Sequence, residues 1–76
     1  MQMGLDMLRP GAEAVVTKMD VEKALSARLQ DFGFVPGTRV RCCYRSPGGQ
    51  VTAVGCRGSV IALRTRDLKG IRVRPL

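Results

Sequence analysis

Three cysteines and no histidine bound the chemistry open to this 76-residue chain. Without an imidazole, neither a Ser-His-Asp nor a Cys-His pair can form, and the commonest metal ligand is missing. Cys42 and Cys43 are adjacent, so extended backbone sends them to opposite faces. Cys56 stands apart, and zinc sites want thiolates paired two to four residues apart. Cys42 reads as a small core hydrophobe and Cys43 as an outward thiol among arginines.

The six carboxylates are scattered. The nearest two, Asp20 and Glu22, suit the start of a helix better than acid–base work. Ser46-Pro47-Gly48-Gly49 is glycine-rich, but an extended pattern follows it, so it lacks the helix N-terminus that cradles phosphate. No Walker-type loop occurs. The chain therefore reads as a binding module without catalysis, and no cofactor is expected.

What remains is charge. Thirteen basic and six acidic residues give a net charge of +7, very unevenly spread. Residues 1–38 hold four basic and five acidic side chains, whereas residues 39–76 hold nine basic ones against Asp67 alone. Such a half attracts acidic protein surfaces or polyanions. Arg39 and Arg41 take the outward parity of one predicted strand, and Arg72 and Arg74 that of the last. Arg28 and Arg64 join them as candidate partner-binding residues, because a guanidinium gains nothing from core burial. Pairing of these two with Asp31 or Asp67 is the competing reading.

The elements that position these residues follow from periodicity. Pro10-Gly11 marks a turn, and Ala14 and Val16 then share one side of a strand, with Glu13 and Val15 on the other. Asp20 is placed as the N-cap of the one helix. Its stripe runs through Val21, Ala24, Leu25, Arg28, Leu29 and Phe32. Gly33 ends it, with Leu29 and Phe34 spaced for the hydrophobic contact of a Schellman motif.

From Arg39 the period falls to two: Val40, Cys42 and Tyr44 share one face, and Arg39, Arg41, Cys43 and Arg45 the other. Gln50 to Cys56 forms a further strand, with Arg57-Gly58 turning the chain. Ser59 to Arg64, a single helical turn at Asp67 to Gly70, and a closing strand through Ile71 and Val73 complete the set. Residues 1–76 thus predict one all-β domain, a small five-stranded barrel with a short helix after the first strand.

Three stretches in this order resemble one family. They are Arg28-Leu29 with Asp31-Phe32-Gly33-Phe34 and Pro36-Gly37; Pro47-Gly48-Gly49 leading to Val54 and Gly58; and Ile61-Ala62-Leu63-Arg64 with Asp67, Ile71 and Val73. With Leu8 and Pro10-Gly11 upstream, they look like the FeoA family, ferrous iron transport protein A. The resemblance implies an SH3-like barrel. It also implies an accessory role beside FeoB, the membrane permease for ferrous iron in bacteria, and transition-metal binding as a family property. No ligand set for ferrous iron or another metal is quoted by these motifs.

The odd thiol count and the absence of a long apolar run predict a reduced, cytoplasmic protein that meets membranes only by docking. Self-association is left open. The runner-up partner is nucleic acid, which small basic barrels bind through phosphates. Aromatic supply argues against it: Phe32 and Phe34 are committed here to the helix end, and stacking needs exposed rings.

Overall fold

The computed structural model describes residues 1–76. The elements in chain order are β1 (Met3–Gly4), a 3-10 turn (Leu5–Met7), β2 (Glu13–Met19), α1 (Lys23–Asp31), β3 (Arg39–Arg45), β4 (Val51–Cys56), β5 (Ser59–Arg64), a second 3-10 turn (Thr65–Gly70) and β6 (Ile71–Pro75). One antiparallel sheet holds all six strands in the order β1-β6-β2-β3-β4-β5. The strand beyond the expected five is β1, two residues long and paired with β6 through Met3↔Val73 and Gly4↔Arg72. It is too short to carry a period, so its pairing is visible only in three dimensions.

The alternating apolar positions meet inside the curled sheet. Ala14, Val16, Val40, Cys42, Val54, Ile61, Leu63, Ile71 and Val73 are all buried, and Leu5, Leu8 and Leu68 close the ends. Two bulges bend the strands, as a small barrel requires. One lies in β2, where two steps from Val16 to Lys18 face one step from Val73 to Arg72 and leave Thr17 as the extra residue. The other lies in β3 at Cys43, between the pairs Cys42↔Val54 and Tyr44↔Ala53.

The second bulge corrects the predicted faces of β3. Cys43 and Tyr44 both point outward, and Arg45 turns to the core side opposite buried Thr52. The guanidinium is accommodated there because it has partners: Arg45 Nε donates to Thr52 Oγ1 at 3.0 Å, and Nη2 to the Leu8 carbonyl at 3.1 Å. Thr52 Oγ1 also shares a hydrogen bond of 2.8 Å with Thr65 Oγ1. No buried side-chain polar atom is left unpaired.

The helix ends as its sequence dictates. Phe34 N–H donates to the Leu29 carbonyl at 3.0 Å and Gly33 N–H to the Gln30 carbonyl at 2.9 Å, the paired bonds of a Schellman motif. Gly33 carries φ +77°, and Leu29 and Phe34 are buried. Its start is different from the expectation. Glu22, not Asp20, is the N-cap, without a side-chain cap bond. Asp20 instead donates its N–H to the Gly70 carbonyl at 2.7 Å, which extends the β2–β6 ladder by one residue and holds Asp20 out of the helix. Phe32, expected on the buried stripe, is the C-cap residue and remains 45% exposed.

Candidate partner-binding surface

Four of the six candidate arginines come together. The outer face of β6, β2 and β3 places Arg74, Val15 and Arg39 in one cross-strand row, since Val15 pairs with both arginines. The next residues outward on the same face are Arg72 and Arg41. Arg72 lies opposite Lys18 and Arg41 opposite Glu13. All four arginines are exposed. The register thus builds a basic wall with one carboxylate at its margin. Like charges directly opposite each other across strands cost stability, so Arg72 and Lys18 form a pair that an anionic neighbour would relieve.

The wall continues into an open groove of about 660 Å³, where Arg39, Arg41 and Arg57 line its sides around Gly37, Gly55 and Gly58. Arg57 was not among the expected site residues, and neither was Lys18. With Gly58 it forms the two-residue turn between β4 and β5, and both residues have positive φ, +51° and +84°. That turn matches the twist of a hairpin, but an arginine in the left-handed region costs about 1–2 kcal/mol relative to glycine. Its aliphatic stem lies against Gly33, where a Cβ would collide with it. The Arg-Gly dipeptide is the available sequence signal, and in sequence it marks only a turn.

Arg28 and Arg64 stand elsewhere. Both line a second groove, of about 610 Å³, between α1 and β5, together with Arg66 and with Asp20, Glu22 and Asp67. This groove holds three acidic and three basic side chains, whereas the wall holds Glu13 as its one carboxylate. The six candidates therefore occupy two surfaces.

The thiols offer no third site. Burial pushes the Cys42 and Cys56 thiols up from their ordinary range, with Arg45 and Arg57 respectively pulling back. Cys43 is exposed, its Sγ 3.8 Å from the Arg41 carbonyl. No three Cys, Asp or Glu side chains gather as metal ligands. With two thiols inside the core and the third alone on the surface, the donor set does not fit a transition-metal centre within one chain. Reaction with a maleimide at neutral pH should accordingly label one thiol per chain in the native protein and three in denaturant, read by intact mass. Rapid native labelling of all three would contradict the burial described.

Comparison with known proteins sets this geometry in context. The FeoA domain matches residues 3–75. No curated protein sequence matches the chain. Among solved structures, a FeoA protein from Chlorobium tepidum is 34% identical with a TM-score of 0.93, over 97% of this chain and 70% of that one. A zinc complex of FeoA from Stenotrophomonas maltophilia, described as a prokaryotic SH3 domain protein, is 33% identical with a TM-score of 0.79, over 95% of this chain and 89% of that one. A FeoA-like protein from Clostridium acetobutylicum is 27% identical with a TM-score of 0.84, over 99% of this chain and 87% of that one.

Proposed function

The chain belongs to the FeoA domain family, a family associated with iron uptake and SH3-like in fold, and from that premise we propose that it is a non-catalytic adaptor of ferrous iron uptake. It works in the cytoplasm and docks on the cytosolic side of the FeoB permease. No helix is long and apolar enough to cross a membrane. The observation that carries the reading is the wall of Arg39, Arg41, Arg72 and Arg74, whose register sets Arg72 against Lys18 and offers Glu13, opposite Arg41, as the one cross-strand carboxylate. An acidic protein surface supplies the missing countercharge, with electrostatics giving on-rate and selectivity more than raw affinity. Metal binding forms no step of this reading, since the thiols and carboxylates present do not gather.

The test is charge reversal. Arg39→Glu with Arg41→Glu alters two exposed side chains on β3 and should cost no more than about 1 kcal/mol, since the second sets a carboxylate opposite Glu13 while the core is untouched. Copurification with the permease should fall by about tenfold or more. Undiminished copurification would remove the wall from the account.

A second reading, nucleic-acid binding, is favoured by a correction to the aromatic inventory. Phe32 is 45% exposed, and the bulge in β3 leaves Tyr44 58% exposed, so two rings are free to stack. They do not form a row, however. Phe32 sits beside Cys56, whose Sγ lies 3.8 Å from its carbonyl, and Tyr44 pairs with Ala53 further along β4. Binding to random oligonucleotides with a slope of several ions on salt titration would favour this class over the adaptor.

A further inference from the structure

The sheet leaves one long edge open. β5 is the last strand in the order, and no strand pairs with its outer side. Its inner register with β4 runs from Cys56↔Ser59 through Val51↔Arg64, and Thr65 N–H continues the ladder by donating to the Gln50 carbonyl at 2.9 Å. In an antiparallel ladder alternate residues bond to opposite sides. Ser59, Ile61 and Leu63 therefore share the parity of Thr65 and bond to β4. Val60 and Ala62 direct their N–H and C=O groups away from it, and Arg64 its N–H. Val60 and Ala62 take part in none of the backbone hydrogen bonds that tie the turns and loops, whereas the Arg64 carbonyl caps the second 3-10 turn and leaves only its N–H free. The opposite edge, β1, is only two residues long.

The open edge does not face bulk solvent alone. The mixed-charge groove lies beside it, with α1 as the far wall. The helix buries a single residue, Leu29, and leaves Leu25 half-buried along that groove, beside half-buried Val21 just ahead of its N-cap and near Leu63 of β5. A strand edge facing a helix across a groove with an apolar floor at Val21, Leu25 and Leu63 and charged rims is an arrangement in which an extended peptide adds as another strand: its backbone completes the ladder, and alternate side chains reach the floor.

We propose that the β5 edge is a strand-acceptor site that takes an extended segment of a partner protein as a seventh strand. The occupant alternates apolar residues, which pack on Val21 and Leu25, with polar ones on the outer face. One of these is a carboxylate opposite Arg64. A single carboxylate is specified because Asp20, Glu22 and Asp67 share the groove with Arg28, Arg64 and Arg66, which disfavours a polyanion. This surface is two strands away from β3 and stands independently of the basic wall.

The probe is a short capped peptide of valine alternating with threonine and carrying one central glutamate. Its glutamate-to-lysine counterpart and hexaglutamate serve as comparisons. With the full chain labelled with nitrogen-15, the glutamate peptide should shift the amide signals of Val60, Ala62 and Arg64 and slow their hydrogen exchange by about tenfold. The lysine peptide should bind several-fold more weakly. Arg64→Glu, an exposed substitution, should reverse that preference while leaving the spectrum otherwise native. Ala62→Pro removes an outward N–H that the fold does not use, which an edge strand tolerates, and should abolish binding. Unslowed exchange at these amides, tighter binding of hexaglutamate, or protection of the edge that grows with concentration of the protein alone would each overturn the proposal. The last outcome would assign the edge to a second copy of the chain.

Discussion

Gly70→Ala should destabilise this protein by about 2–4 kcal/mol, enough to unfold much of a domain this small. A Cβ at Gly70 would collide with the carbonyl oxygen and carbon of Asp20, both backbone atoms, with Val21 Cγ1 at 3.3 Å behind them. The two segments are held at that distance because Asp20 N–H donates to the Gly70 carbonyl. Neither can retreat without tearing the end of the β2–β6 ladder at Met19↔Ile71, and Ile71 is fully buried. A flexible side chain would step aside; a main chain fixed by its own hydrogen bond does not. Gly11→Ala supplies the contrast. Gly11 has φ +91° but nothing within 4 Å of a Cβ, so only the backbone preference is lost, about 1–2 kcal/mol. Paired thermal melts of the two variants give the comparison, and equal losses would show that the Asp20 contact is soft.

The second large effect is expected at Arg45. Replacement by Met keeps most of the volume but removes the donors to Thr52 Oγ1 and the Leu8 carbonyl. Leaving buried acceptors without partners costs about 1–3 kcal/mol. Thr52 is completely buried and keeps only Thr65 Oγ1, and the Leu8 carbonyl loses its donor from β3. Arg39→Met, six residues earlier on the same strand but exposed, should lie within about 0.5 kcal/mol of the parent. Denaturant unfolding with an unchanged slope checks both. Similar small losses at both positions would mean that the inward guanidinium is solvated.

These arginines show how far the sequence could be read. Strict alternation locates Val40 and Cys42 inside and Arg39 and Arg41 outside, and the structure agrees. It fails two residues later, because one bulged residue at Cys43 inverts every following position. A bulge of this kind has no glycine to announce it; it is set by the pairing partner, β4, and by the need to curve the sheet. The same holds at Asp20, whose cap preference is a local tendency overridden by a hydrogen bond to a residue fifty positions away. Local signals closed the helix correctly at Gly33 because the Schellman bonds join residues within one turn of chain. Ile61, Leu63, Ile71 and Val73 were legible for a related reason: β5 and β6 pair without a bulge of their own.

The candidate surface divides in the same way. Strand parity exposes Arg39, Arg41, Arg72 and Arg74, the cost of burying a guanidinium does the same for Arg28 and Arg64, and all six are exposed. Which of them are neighbours did not, because that depends on β2 lying between β6 and β3. Sequence order places Arg39 and Arg74 far apart, yet both flank Val15. Arg57 was hidden for the opposite reason, since an arginine beside glycine in a turn reads as punctuation until its stem is seen against the helix end.

The pairing of Met3 with Val73 gives the molecule a nearly circular path. A tether or reporter joined to either end emerges on the same flank, so the two attachments are equivalent in what they obstruct. The ends could also be spliced directly and the path reopened in the Ser46 to Gln50 loop, keeping every rung of the ladder while relocating the gap to the far side of the barrel.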